Sequence, residues 1–319
     1  AQEIITLLKQ SAATEAYDFA GGKLEMYMLK LDSSAMVINH SFEEIANRYK
    51  HLDFRPVAIH RRQNTFIPHA EDVLKEGDMI YVVSKPHAFK DLIQLSGKQR
   101  FNIKNVMIIG GGRVGRIAAK RLEKDTNIKI IELDKNRCLE LTNYLSDSLV
   151  VNADARDVDL LEEEGIKDMD AFIAVTENTE TNILTCLQAK AFGVKKTIAL
   201  VENIDYIDIS QNIGIDTIIN KKLIAASYMV RYTLDDNVSS LKCLSGIDAD
   251  MMEFVVRDGS SVTNRPINRL KMPEGAIIGG IIRGEDSFIA TGNFQIEPED
   301  RVVVLALPDA VQDVEKLFR

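Results

Sequence analysis

The sequence predicts an α/β chain, with a Rossmann-like parallel-sheet domain flanked by two small α/β domains of one kind. Three observations predict it. A segment of about 30 residues occurs twice; the stretch between the copies alternates apolar strands with helical patterns; and a Gly-rich turn stands at the first strand–helix junction of that stretch.

The repeat comes first. Phe66–Leu95 and Phe288–Leu317 align without a gap at an offset of 222 residues. Phe66 meets Phe288, Asp78 meets Asp300, Pro86 meets Pro308 and Leu95 meets Leu317. Upstream, residues 26–37 resemble 252–263 at an offset of about 225, which puts a change of loop length near 48–54. In each copy a turn (Glu76-Gly77-Asp78 or Pro298-Glu299-Asp300) precedes a β-rich run, and a Pro opens the last helix. Two such copies are expected to share one strand order.

A polar linker, Ser96–Arg100, follows the first copy. In 101–222, strands NVMII (105–109), IKIIEL (128–133), SLVVN (148–152), AFIAV (171–175), KTIALV (196–201) and DTIIN (216–220) are separated by helical patterns. Continuous Val/Ile-rich strands of this kind make a parallel sheet covered on both faces. Residues 222–236 read as a helix leading into the second copy. The expected divisions are a linker helix at 1–14, the first repeat domain at 15–95, the Rossmann-like domain at 101–222, a connecting helix at 223–240 and the second repeat domain at 241–319.

Composition limits the function classes. The 319 residues are 45% hydrophobic and 27% charged, which excludes wholesale disorder. Net charge is −9 with no basic block, so nucleic acid is a poor partner. No apolar run reaches the length of a membrane span. Cys138, Cys186 and Cys243 form no CxxC, which suits buried structural thiols in a reducing compartment. The chain opens on Ala1 without a signal-peptide pattern, and Ile4, Ile5, Leu7 and Leu8 fit an amphipathic helix face. With the repeat, that opening reads as a piece of a longer chain.

The first strand of the middle stretch runs into Gly110-Gly111-Gly112-Arg113-Val114-Gly115, a GxGxxG turn. It follows a strand, opens a helix and has an acid, Glu132, 22 residues beyond its first Gly. Gly110 permits the tight turn, Gly112 a close approach to a pyrophosphate, and Gly115 helix–strand packing. The helix start offers free N–H groups, and Arg113 a charge, to a phosphate. Glu132 suits a ribose 2′-OH and would repel a 2′-phosphate, which disfavours NADP. Asp154-Ala155 after the third strand and Thr176-Glu177 after the fourth stand at the carboxyl edge; each alone is more often a cap or turn. His40, His51, His60, His69 and His87 show no metal spacing and read as solvated or loop residues. Arg61-Arg62 reads as a solvated loop tip.

The strings 105–141 and 150–190 resemble the nucleotide-binding half of a regulator-of-K⁺-conductance (RCK, or KTN) module, and the flanking repeat resembles that module's smaller C-terminal half. The order C-half, N-half, C-half is that of two tandem modules with the first N-half absent. The resemblance covers essentially the whole chain. It implies a cytoplasmic regulatory subunit, peripheral on the inner face of the plasma membrane, on a membrane-embedded Trk-type K⁺ transporter subunit (TrkH/TrkG-like). It further implies NAD(H) or ATP/ADP as regulatory ligand. By motif position Gly110, Gly111, Gly112, Arg113 and Val114, ahead of Gly115, would hold the phosphates. Glu132 would hold the ribose, Asp154 and Ala155 would face the adenine, and Thr176 and Glu177 would line the crevice.

The competing reading is an NAD-dependent oxidoreductase. It requires an acid/base group, and no His follows His87. The regulatory reading also needs a coupling element. The 222–236 helix is the candidate, with Leu223, Ile224, Tyr228, Met229 and Leu234 available for a symmetric homodimer contact.

Overall fold

The computed structural model describes residues 1–9, 13–49, 52–98, 101–233, 237–244 and 247–319. Two compact units emerge, Ala1–Ser11 with Arg100–Lys222, and Ala12–Gln99 with Leu223–Arg319. In chain order the elements begin with α1 (Gln2–Lys9), β1 (Glu15–Phe19), β2 (Leu24–Lys30), α2 (Phe42–Arg48), β3 (Phe54–Arg61), β4 (Asn64–Phe66), β5 (Met79–Ser84) and α3 (Phe89–Leu95). Then come β6 (Asn105–Ile109), α4 (Arg113–Leu122), β7 (Asn127–Glu132), α5 (Lys135–Tyr144), β8 (Ser148–Asn152), α6 (Val158–Glu163), β9 (Ala171–Ala174) and α7 (Thr179–Ala191). The series ends with β10 (Lys196–Leu200), α8 (Tyr206–Asn212), β11 (Thr217–Ile219), α9 (Lys221–Thr233), β12 (Val238–Cys243), β13 (Asp250–Val255), β14 (Ala276–Arg283), β15 (Asp286–Ile289), β16 (Arg301–Ala306) and α10 (Val311–Phe318).

In the first unit β6 to β11 form a six-stranded sheet in the order β11-β10-β9-β6-β7-β8, every pairing parallel. The chain reverses direction across the sheet between β6 and β9, the place where open α/β sheets bind ligands. β9 and β10 are buried along their whole length, as sheet centres covered on both faces must be. β8 is the exception to the expected two-sided cover: it is an edge strand, and Leu149 is 55% exposed. α1 packs on α4 with Ile4, Ile5, Leu7 and Leu8 buried, and Arg121 Nη1 donates to Gln2 Oε1 (2.6 Å).

The second unit holds two five-stranded antiparallel sheets, β1-β2-β5-β3-β4 and β12-β13-β16-β14-β15. The strand order is the same in both. So are a bulge at Pro56/Ala58 and Ile278/Gly280 and a 3₁₀ turn, opened by Pro86 or Pro308, that leads into the last helix. Phe42 N–H donates to Asp72 O and Ile267 N–H to Phe294 O, which fixes the equivalence of those four positions. Three extra residues of the first copy therefore fall between Ile45 and Phe54, where α2 replaces the single 3₁₀ turn Ile267–Arg269. The two sheets share one core, with Met26, Met28, Tyr81 and Val83 packed with Met251, Val303 and Leu305. At Gly279 a Cβ would lie 2.6 Å from Val83 Cγ2, so only glycine allows this approach.

Two readings of charged residues are corrected here. Arg61 is no loop tip: its Nε and Nη2 donate to Asp78 Oδ1 and Oδ2, each at 2.7 Å, and Asp78 is buried. The second copy repeats the fork, Arg283 on buried Asp300 at 2.8 Å for both bonds. A carboxylate at that turn also caps the backbone (Lys75 N–H to Asp78, Glu297 N–H to Asp300), so burying it calls for a bidentate cation. His60 is not solvated either. It lies buried on β3, its Nδ1 2.9 Å from Thr65 Oγ1 across the β3–β4 hairpin. His40, His69 and His87 pair with Glu44, Asp72 and Asp53 at the surface, and His51 lies outside the described residues.

Candidate functional site

The Gly-rich turn joins β6 to α4. Gly110 has φ +97°, and its N–H donates to Ile131 O (2.9 Å). A Cβ on Gly110 would lie 3.0 Å from Thr176 N. A Cβ on Gly115 would lie 2.0 Å from Gly110 O, so the close fit of α4 on the turn depends on that glycine. Gly111 is constrained less severely: its Cβ would meet the tip of the Leu141 side chain, Cδ1, at 2.3 Å, so Leu141 would have to shift; the sequence reading gave that residue no packing role. Gly112 differs: nothing lies within 4 Å of its Cβ direction. It caps α4, so the first-turn N–H groups of the helix have no intrahelical acceptor.

Glu132 ends β7 with its side chain buried against this turn. Its Oε2 accepts the Gly111 N–H (2.6 Å), its Oε1 accepts the Asp134 N–H (2.8 Å), and Arg137 Nη1 stands 3.8 Å away. Asn152 Nδ2 donates to the Glu132 and Leu133 carbonyls, tying β8 to the end of β7. At the far side Asn182 is 1% exposed and acts as a clamp. Its Oδ1 accepts from Thr176 N–H (3.0 Å) and Thr176 Oγ1 (2.6 Å), and its Nδ2 donates to Leu200 O. Asn178 caps α7 through the Thr181 N–H, which leaves Glu177 at the rim.

Between these walls lies a cavity of about 340 Å³, lined among others by Gly110, Gly112, Glu132, Asp154, Ala155, Thr176 and Glu177. An adjoining cavity of about 260 Å³ shares Gly112, Arg137 and Glu177 and adds Gly111, Arg113 and Arg116. Nine of the eleven expected residues thus meet around one crevice; Val114 and Gly115 line neither cavity. Sequence reasoning missed Arg116, Arg137, Arg156 and the Asn182 clamp. Arg137 and Arg156 follow strand ends by a few residues, a signal that was available. Asp154 and Arg156 chelate one another (2.6 Å at the shortest), and the Arg156 hydrogen bond holds the Asp154 carboxyl below its ordinary range. Burial pushes the Cys138 thiol, close to Glu132, above its ordinary value, so it is a poor nucleophile here. Among the described residues no group of three or more His, Cys, Asp or Glu could hold a metal ion, and no helix is long and apolar enough to cross a membrane.

α9 follows β11 directly. Ser227 Oγ donates to Leu223 O and accepts from Cys243 N–H (2.9 Å each), fastening the helix to β12. β12 begins at Val238, inside the segment expected as a connecting helix. Tyr228 and Met229 are 63% and 69% exposed, and Leu234 lies outside the described residues.

Comparison with known proteins agrees with this architecture. The TrkA-N domain family matches residues 106–221, and the TrkA-C domain family matches 26–97 and 251–319. Trk system potassium uptake protein TrkA homolog 2 of Methanosarcina mazei is 35% identical over 322 residues, covering 100% of this chain and 71% of that protein. The TrkA of Haemophilus influenzae is 30% identical, covering 99% and 70%. The solved GsuK channel superposes with a TM-score of 0.50 at 17% identity over 98% of this chain and 57% of its own, a likeness of fold alone. The chain belongs to the Trk system potassium uptake protein TrkA family.

Proposed function

We propose that the chain is the nucleotide-sensing part of a cytoplasmic regulatory subunit of a Trk-type potassium transporter. It takes NAD(H) or ATP/ADP in the crevice at Gly110–Gly115 and gates K⁺ flux without catalysing a reaction. The observation that carries this is the meeting of a Gly-rich helix start, four arginines and a buried carboxylate at the sheet's switch point. Phosphates lie over Gly112 and Arg113, with Arg113, Arg116 and Arg137 to neutralise them. Glu132 spends two of its roughly four lone-pair sites on Gly111 and Asp134, so a ribose hydroxyl still finds an acceptor. Asp154 and Ala155 flank the adenine, and Thr176 and Glu177 close the crevice. Gly115 serves by packing.

The potassium uptake relatives support the transport side of the reading. The partner is a membrane-embedded TrkH/TrkG-like subunit, with this subunit peripheral on the inner face of the plasma membrane. The assembly is a dimer-based homo-oligomer, for which Tyr228 and Met229 offer exposed apolar contacts. The domain boundaries we propose are 15–95, 101–222 and 238–319, with joining segments 1–14 and 223–237.

Thermal unfolding with NADH, NADPH, ATP and ADP tests the site. A ligand at 100 times its Kd stabilises the binding unit by about 2.7 kcal/mol. NADH or the adenine nucleotides should raise Tm and NADPH should not; no shift with any of them removes the nucleotide reading.

A further inference from the structure

The duplicated domains differ in one respect that duplication alone does not explain. In the second copy Phe318 is fully buried, stacks on Phe254 (ring centroids 4.4 Å apart) and packs in one cluster with Val262, Leu270 and Ile296. At the 222-residue offset the first copy has Ser96 in place of Phe318. Val37, Ile45 and Leu74, the counterparts of Val262, Leu270 and Ile296, together with Ser96 line an open cavity of about 410 Å³. That volume lies within the roughly 300–1,000 Å³ of small-molecule sites. The rest of its wall is mainly apolar, with Phe42, Tyr49 and Phe54 among it.

Arg55 stands on the same wall, where the second copy has Ile277. Arg61 and Arg283, arginines at matched positions of these two sheets, each hold a buried aspartate, and Arg301 on β16 pairs with Glu253. Arg55 has no carboxylate within ion-pair distance among the described residues; Nη1 donates to the Ala290 carbonyl. Burial pushes its guanidinium below its ordinary value, and no neighbouring acid offsets this. A half-buried cation beside an apolar void is an unfavourable arrangement unless an anion with an apolar body completes it.

We propose that this cavity in the first C-type domain binds a small amphiphilic carboxylate, its hydrocarbon body replacing the missing Phe ring and its carboxylate facing Arg55. The site is independent of the nucleotide crevice and gives the protein a second ligand input.

The test uses the whole chain, titrated calorimetrically with decanoate and, in parallel, decanol. Wild type should bind decanoate saturably at one site per chain. Ser96→Phe restores the ring of the second copy and should abolish binding. Ala46→Trp, at an exposed position on the cavity wall, should abolish it without touching the core, and it decides the matter if Ser96→Phe fails to fold. Arg55→Met should weaken decanoate by about 10- to 150-fold, the worth of one charge-assisted hydrogen bond, and leave decanol unchanged. Absence of saturable binding to wild type overturns the proposal. So does binding that survives both filled variants, or decanoate affinity indifferent to Arg55→Met.

Discussion

Gly112 and Gly115 stand three residues apart in one turn, yet the structure gives their side-chain positions opposite surroundings. A methyl on Gly115 would sit 2.0 Å from the Gly110 carbonyl oxygen and 3.3 Å from Val175 Cγ2. The nearer atom is backbone, so α4 must move off the turn. Helix propensity favours Ala over Gly by about 0.8–1.0 kcal/mol, whereas forced overpacking costs about 1–3 kcal/mol, and a backbone overlap this deep belongs at the upper end. Gly115→Ala should therefore lower stability by a net ~1–2 kcal/mol, a Tm loss of about 4–7 °C for a unit of this size. A methyl on Gly112 meets nothing within 4 Å, and φ −64° suits any residue. Gly112→Ala should cost only the loss of a glycine N-cap, about 0.5–1.5 kcal/mol or roughly 2–5 °C in Tm, with no steric clash. It should nonetheless weaken NADH or ATP by tenfold or more in calorimetry, because the methyl enters the space proposed for the pyrophosphate. Undiminished affinity in folded Gly112→Ala would refute that placement. A Gly115→Ala protein as stable as wild type would refute the packing argument.

Four further outcomes follow from named contacts. Glu132→Gln removes the charge but keeps an acceptor for one of its two N–H donors. Calorimetry should show nucleotide affinity down about 10- to 150-fold with a stability loss of about 1–3 kcal/mol, and unchanged affinity would remove Glu132 from the site. Arg283→Met leaves the Asp300 carboxylate buried without its cation and should cost about 3–5 kcal/mol in denaturant unfolding; a loss under 1 kcal/mol would mean water replaces the fork. Burial alone would raise the Glu123 carboxyl, but Lys120, the Asp147 and Ser146 N–H groups and the Ser148 hydroxyl outweigh it and hold it near about 2, against an ordinary 4.5. The folded value is depressed, so its contribution is complete above about pH 4.5 and is lost as pH falls towards 2. The stability gap between wild type and Glu123→Gln should close over that window and stay constant above it. Ser227→Pro breaks α9 and its bond to Cys243. It should spare nucleotide affinity yet abolish ligand control of K⁺ flux in the transporter complex, and control that persists would rule out α9 as the coupling element.

The parallel-sheet unit was legible because its signals are local. Val/Ile-rich strands at even spacing, a Gly-rich turn and an acid at the next strand end depend on backbone geometry that the residues themselves impose. The duplication was legible because matching Pro, Asp and Phe positions survive at a constant offset. Other features depend on what lies opposite a residue, which no linear pattern records. Arg61 and His60 looked like polar loop residues; a buried Asp78 seventeen residues on and a hairpin partner at Thr65 make them structural. Asn182 reads as an ordinary helix residue, yet it locks the ends of two strands, because only the packed sheet brings Thr176 and Leu200 to it. Gly111 carried no packing role in the motif, yet the Leu141 side chain lies against its Cβ direction. The sequence by itself determined the architecture and most of the crevice, since local propensity and apolar period set those. Tertiary structure alone decided which charges are paired, and that one repeat copy fills its core with Phe318 while its twin leaves a cavity beside Arg55, because both follow from long-range packing.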